Sequence, residues 1–189
     1  MNFKMNETIK TILNRRSYRA YKPEQIKDAD LQSILEAGRF APSGMNNQPW
    51  HFSVIQKKDL LERINGAVKE GMLQSGNPQM AERAKDGSFS VFYHAPTLII
   101  VSADPKVATP QFDSALAMGN MFLAAASLGV GSCWIHAISV TFNNESAKGI
   151  LKELAVPDGY VIYSSGAFGY PAMEAQASPR KEGTISVIK

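Results

Sequence analysis

A single cysteine, Cys133, leaves no internal disulfide to form and no Cys-rich metal or iron–sulfur motif. The three histidines, His51, His94 and His136, are scattered, and none belongs to H-E-x-x-H or to a His/Cys/carboxylate cluster at ligand spacing. The longest apolar stretches, "PTLIIVSA" and "MFLAAASLGV", fall far short of the roughly 20 residues that cross a bilayer. The opening "MNFKMNETIK" lacks the apolar run of a signal peptide, so the default expectation is a soluble cytoplasmic protein that needs no membrane. Neither G-x-G-x-x-G nor G-x-x-x-x-G-K-[ST] occurs, which leaves Rossmann and P-loop nucleotide binding unsupported. Ser43, Ser164 and Ser165 sit in no G-x-S-x-G elbow, and Cys133 lies in an apolar run with no base beside it. Charge of one sign is scarce too. Twenty Lys+Arg against 17 Asp+Glu give a net charge of +3, too even for a protein that binds nucleic acid across a whole face. Any positive site must be local.

What remains is ordinary globular composition, 44% hydrophobic over 189 residues, without a repeat or a linker that would divide it. One domain over 1–189 is expected. Asn6 is placed to cap a helix carrying Ile9, Ile12 and Leu13 on one face. Asp28 or Asp30 opens a second, with Leu31, Ile34 and Leu35 spaced for burial and Gly38 near its end. "WHFSVIQ" at 50–56 reads as a strand, "DLLERINGAVKEGML" at 59–73 as a helix weakened by Gly66, and "TLIIVSA" at 97–103 as a strand buried on both faces. The segment 113–128 is the strongest helix, apolar around nearly its whole circumference and rich in small residues, so a central position is expected. Strands at 131–138 and 159–169 flank a helix at 144–155, while 74–95 carries no clear pattern. Alternating helices and strands predict a sheet with helices packed on it.

Two stretches carry chemistry. "NRRSYRAYKPEQI" at 14–26 brings Arg15, Arg16 and Arg19 together, and Arg180 with Lys181 forms a second basic pair near the other end. Arginine's forked donors match a phosphate, so the two groups could converge on one dianion; a solvated surface explains the charges equally well. "APSGMNNQPWHF" at 41–52 places Asn46, Asn47 and Gln48 against a tryptophan. Turn chemistry accounts for 42–44, while the amides, which donate and accept, also suit a heterocycle with mixed edges.

In order, "RRSxRxY", "APSxxNxQPWHF", "GxGSCWI" and "GxxGYPA" with a following "PRK" resemble the nitroreductase family of FMN-dependent flavoproteins, from about residue 8 to 183. The resemblance implies an α+β fold, a mixed central sheet wrapped by helices, in an intertwined homodimer with two FMN sites at its interface. By match, Arg15, Arg16, Ser17 and Arg19 hold the phosphate and ribityl chain, and Arg180 and Lys181 close on the same phosphate. Pro42, Ser43, Met45, Asn46 and Gln48 match the loop that reaches the flavin across the interface. Trp134, Ile135, His136 and Ala137 match the segment whose backbone N–H approaches flavin N5. Relatives often carry glutamate and then glycine where this chain has His136 and Ala137, which keeps the main-chain contact and leaves the side chain without a matched role. The tail, about 178–189, is expected to cross over and add "TISVIK" to the partner's sheet.

The implied activity is ping-pong transfer of hydride from NAD(P)H through FMN to a nitroaromatic, quinone or related small-molecule acceptor, with no catalytic side chain and no metal. The alternatives are other flavin chemistry on the same fold (dehalogenating, dehydrogenating or flavin-modifying) and a non-catalytic flavin storage or sensing role. The unmatched segment 71–93 is expected to cover the site and set substrate choice.

Overall fold

The computed structural model describes residues 4–143 and 148–189. Its centre is β2 (Thr97–Ala103), in which every residue is buried, as its unbroken apolar run requires. β2 lies between β1 (Trp50–Ile55) and β4 (Val161–Gly169), and β3 (Gly131–Trp134) pairs with the far side of β4, giving the order β1-β2-β4-β3. All three strand pairs are antiparallel. The expected parallel component is confined, among the described residues, to one bridge between Ser17 and Ser132 at the outer edge of β3.

The period-2 alternation of β2 feeds two cores. Leu98 and Ile100 join Leu61, Ile64, Ile138 and Phe142, from α3 (Lys58–Gln74) and α6 (Ala137–Phe142). Ile99 and Val101 join Ile34, Met118, Met121 and Ala125, from α2 (Asp28–Arg39) and α5 (Pro110–Ser127). Small residues let these layers close. A Cβ on Gly38 would stand 2.3 Å from the Met121 terminal methyl, so α2 packs on α5 at a distance only glycine permits there.

α5 lies between the sheet and α2, as a helix without a polar face should, but one flank stays open. Phe112 is 62% and Leu116 47% exposed in the single chain. α1 (Glu7–Asn14), capped by Asn6 as the sequence predicts, likewise buries none of its residues. Two elements depart from the expectations. Residues 74–95 contain α4 (Pro78–Lys85), begun by Asn77, whose side chain accepts from the N–H groups of Gln79 and Met80, and by Pro78 at the first helical position. The helix expected over 144–155 is α7 (Lys148–Glu153), with 144–147 outside the described residues. The 178–189 tail forms no strand, and Ile185, Val187 and Ile188 are exposed. Among the described residues no helix is long and apolar enough to cross a membrane.

Two glycines give opposite expectations. Gly66 lies inside α3 with nothing within 4 Å of an added Cβ, so Gly66→Ala should stabilise the fold by about 0.5–1 kcal/mol through backbone entropy. In β4, a Cβ on Gly166 would stand 2.7 Å from a Phe122 ring carbon and 2.9 Å from the Met118 sulfur. Gly166→Ala should destabilise by about 1–3 kcal/mol. Urea midpoints of the two variants check both signs.

Candidate functional site

The basic segment begins where α1 ends. Arg16 turns back to cap the helix, its Nη1 donating to the carbonyls of Leu13 (2.7 Å) and Arg15 (2.8 Å). The chain then runs extended along β3. Ser17 bridges to Ser132, Tyr18 N–H donates to Ser132 O (3.0 Å), and Lys22 N–H to Tyr170 O (2.9 Å). Alternation along this run turns Ser17 and Arg19 toward Cys133. Burial pushes the Cys133 thiol pKa up, against opposing pulls from Arg19 and Arg15 and a hydrogen bond with Ser17. Tyr93 interacts with Arg19, whose guanidinium carbon lies 5.9 Å from that ring and whose pKa is raised, first by hydrogen bonding to the Tyr93 side chain. Arg15, Arg16 and Tyr18 also border a cavity of about 240 Å³ against the C-terminal end of α5 at Ala126 and Ser127. Among the described residues neither Arg15 nor Arg19 is paired with a carboxylate.

β3 ends at Trp134, opposite Gly166, and does not continue to Ile138 as the sequence reading had it. Ser165 is the reason. Its carbonyl still takes the Ile135 N–H across from β4 (2.9 Å), but its hydroxyl donates to the Ile135 carbonyl (2.6 Å) where a backbone N–H would continue the ladder. His136 is already helical (φ −69°, ψ −33°), and α6 starts at Ala137. Ile135 is buried, while Trp134 and His136 are exposed on either side of it. The leading N–H groups of α6 have no acceptor within the helix, which leaves main-chain donors beside these two side chains. Trp134, His136 and Ala137 line a cavity of about 500 Å³ with Tyr93 and Phe89, walled by α4. Tyr93 thus joins the arginine segment to the 134–137 segment.

The amide-rich loop lies elsewhere. Met45, Asn46 and Gln48 all have positive φ (52°, 56° and 46°), an uncommon conformation for non-glycine residues. Two contacts hold it. Ser43 Oγ accepts from Gln48 N–H (3.0 Å), and Gly44 N–H donates to the buried carboxylate of Asp113 (3.0 Å), which also accepts from Thr109 Oγ1 (3.2 Å). A Cβ on Gly44 would stand 2.4 Å from Thr109 Oγ1, so glycine permits this approach. Pro42 leads into the turn, Gln48 Nε2 donates to Asn46 Oδ1 (3.1 Å), and Met45 is 95% exposed. Asp113 and Ala126 are separated by thirteen helical residues, about 20 Å along the axis at 1.5 Å per residue. The loop and the Arg15/Arg16 cavity therefore occupy opposite ends of α5. Arg180 and Lys181, in the exposed tail, do not line that cavity either.

Residues 12–170 match the Nitroreductase family. The chain belongs to it. A nitroreductase from Bacteroides fragilis solved with bound FMN superposes with a TM-score of 0.93, at 40% identity, over 98% of this chain and 100% of its own. A second, from Desulfitobacterium hafniense, also with bound FMN, gives a TM-score of 0.90 at 29% identity, over 98% of this chain and 100% of that one. Among curated relatives, an Archaeoglobus fulgidus protein provisionally named an NADH dehydrogenase/NAD(P)H nitroreductase is 33% identical, over 90% of this chain and 88% of its own length. An FMN reductase [NAD(P)H] of Bacillus subtilis is 28% identical over 93% of this chain and 70% of its own.

In this nitroreductase-family chain, sequence reasoning missed Tyr93, Asp113 and the α4 wall. The Asn77–Pro78 pair was a usable signal for α4, a cap followed by proline at the first helical turn. Asp113 offered none, because an acidic residue early in a helix is ordinary. Its role predicts an outcome. Asp113→Ala leaves the Gly44 N–H without its acceptor and should lower unfolding free energy by about 1–3 kcal/mol in urea titrations. Asp113→Asn retains one acceptor oxygen and should lose less.

Proposed function

We propose that the protein is an FMN-dependent NAD(P)H oxidoreductase that reduces nitroaromatics, quinones or related small acceptors, working as a homodimer. One observation carries the reading. Arg15 and Arg19, paired with no carboxylate among the described residues, flank Ser17 at the edge of β3, and Arg19 shares Tyr93 with the cavity at 134–137. That donor set fits FMN: guanidinium and hydroxyl groups for a phosphate and a polyol, then aromatic walls and main-chain N–H groups for a flat heterocycle. The relatives from Bacteroides fragilis and Desulfitobacterium hafniense were solved with FMN.

FMN, when bound, would supply the two-electron chemistry between NAD(P)H and the acceptor. The chain's own residues bind and position. Arg15, Ser17 and Arg19 anchor the anionic end, with Arg16 fixing the turn that presents them. The Ser165 hydrogen bonds fix Ile135, and with it the N–H groups at His136 and Ala137 that would hold the ring. Use of NAD(P)H accords with a cytoplasmic location.

The homodimer rests on α5. A loop about 20 Å along that helix from the arginine cavity meets the same cofactor only if it comes from a second copy. The open flank at Phe112 and Leu116 and the exposed apolar side of α1 offer that copy a surface. Among the described residues β1 pairs only with β2, so its outer edge is free for the partner's "TISVIK", which would carry Arg180 and Lys181 toward the partner's site.

The purified protein should be yellow, with about one FMN per chain, and NADPH or NADH under argon should bleach it. With a quinone or nitroaromatic as acceptor, double-reciprocal plots should be parallel, because no second nucleotide motif exists and both reactants must use one face in turn. A colourless protein, or intersecting lines, contradicts this reading. Arg19→Ala should raise the FMN dissociation constant roughly ten- to a hundredfold, the loss of one charge-assisted contact, measured by fluorescence titration of the apoprotein.

A further inference from the structure

The cavity beside Trp134 and His136 has an electrostatic character that the cofactor does not require. Its volume is about 500 Å³, and among the described residues no Asp or Glu lines it and Arg83 of α4 is its one fully charged lining residue. The Arg83 guanidinium carbon lies 5.1 Å from the centroid of the Phe89 ring. Phe89 is itself fixed: its carbonyl accepts from Asn65 Nδ2 (3.0 Å), and Asn65 Oδ1 accepts from Val91 N–H (2.9 Å). A guanidinium held over an aromatic face keeps its five in-plane N–H donors for another partner. Among the described residues no carboxylate pairs with it. Glu82, one residue before it, bonds Lys85 instead (3.3 Å). Glu70 lines the adjoining cavity of about 550 Å³ and is absent from the lining of this one.

We infer that Arg83 selects acceptors bearing an anionic group, a carboxylate on a nitroaromatic or quinone ring being the chemical class that fits. This rests on the oxidoreductase reading for the fate of the bound molecule, but not for its binding. The ring packs among Trp134, Tyr93 and Met80, and the carboxylate accepts from the stacked guanidinium. Asn77 and Gln79, at the start of α4, supply further polar groups on the same wall.

The test compares 4-nitrobenzoate with 4-nitrobenzamide, which match in size and differ in charge. In the FMN-loaded protein, Arg83→Gln should lower the kcat/KM ratio of benzoate to benzamide about tenfold. Lys85→Gln, which removes the same charge from the same helix outside the cavity, should leave that ratio within about twofold. Added salt should shrink the wild-type ratio and barely move that of Arg83→Gln. Binding is read separately on the oxidised protein without reductant, by quenching of tryptophan fluorescence. There Arg83→Gln should weaken 4-nitrobenzoate about tenfold, and Arg83→Lys should restore part of the loss. An unchanged ratio in Arg83→Gln, or an equal fall in Lys85→Gln, overturns the assignment. If neither compound is turned over, the acceptor class proposed above fails, and the titration alone decides: an unchanged dissociation constant sinks the Arg83 site, a tenfold rise upholds it.

Discussion

The burial of α5 between the sheet and α2 is the constraint on which the rest depends. The helix carries no polar stripe, so it is stable only where apolar surface covers it, and its small residues let the sheet and α2 come close enough to do so. Gly38 on α2 and Gly166 on β4 are the counterpart: each gives up a side chain so that Met121, Met118 and Phe122 fit. A helix so enclosed cannot shift, and both halves of the candidate site are indexed to it. Asp113 near its first turn holds the 41–48 loop; Ala126 and Ser127 at its last turn border the arginine cavity. The same rigidity that stabilises the core keeps these halves apart within one chain. On the proposed reading, in which both elements serve one cofactor, a second copy supplies one of them. The apolar flank left open on α5 is the surface that the proposed dimer would bury.

Backbone strain follows the same logic. Three left-handed residues in one exposed loop, Met45, Asn46 and Gln48, cost free energy that no local packing returns, since Met45 is nearly free of contacts in the single chain. They persist because Asp113, Thr109 and Ser43 over-determine the loop's base. Asp113 thus sets the shape that this loop presents to solvent, the shape that the proposed dimer would use.

Legibility in the sequence followed the range of the interactions. β2, α2 and the body of α5 were readable because periodicity and unbroken apolar runs report burial directly, residue by residue, whereas the first turn of α5, from Pro110, was not included. Arg15, Arg16 and Arg19 were readable as a local cluster of positive charge, but the pairing of their segment with β3 was not, because Ser17 and Ser132 are more than a hundred residues apart. The end of β3 was misjudged for a comparable reason. "GSCWIHAI" is uniformly strand-like, and the residue that stops it, Ser165, lies on another strand. Residues 74–95 were unreadable as a whole because α4 packs mainly on α3 and shows solvent a polar face, so its apolar signal is thin, with Ala84 its one buried residue. The tail was legible only as an apolar β-prone segment that lacks a partner within its own chain.

The site divides labour between parts of different stability. The groups proposed to bind the cofactor stand on the sheet edge and at the start of α6, where hydrogen bonds to Ser132 and Ser165 fix the backbone. The groups proposed to meet an acceptor stand on α4, a two-turn helix anchored by few contacts: the Asn77 cap, the Asn65 clamp at Phe89 and Val91, and the Lys69 ammonium on the Asp86 carbonyl (2.8 Å). Substitutions on the first set disturb both binding and the core behind it, whereas α4 buries only Ala84 and tolerates change at little cost to the fold. Because the flavin supplies the redox chemistry, altering α4 alters what is reduced without altering how. Such a division lets one scaffold accept new substrates by exchanging a few side chains on a single helix, which is why the proposed selection of acceptors falls to the wall that carries Arg83.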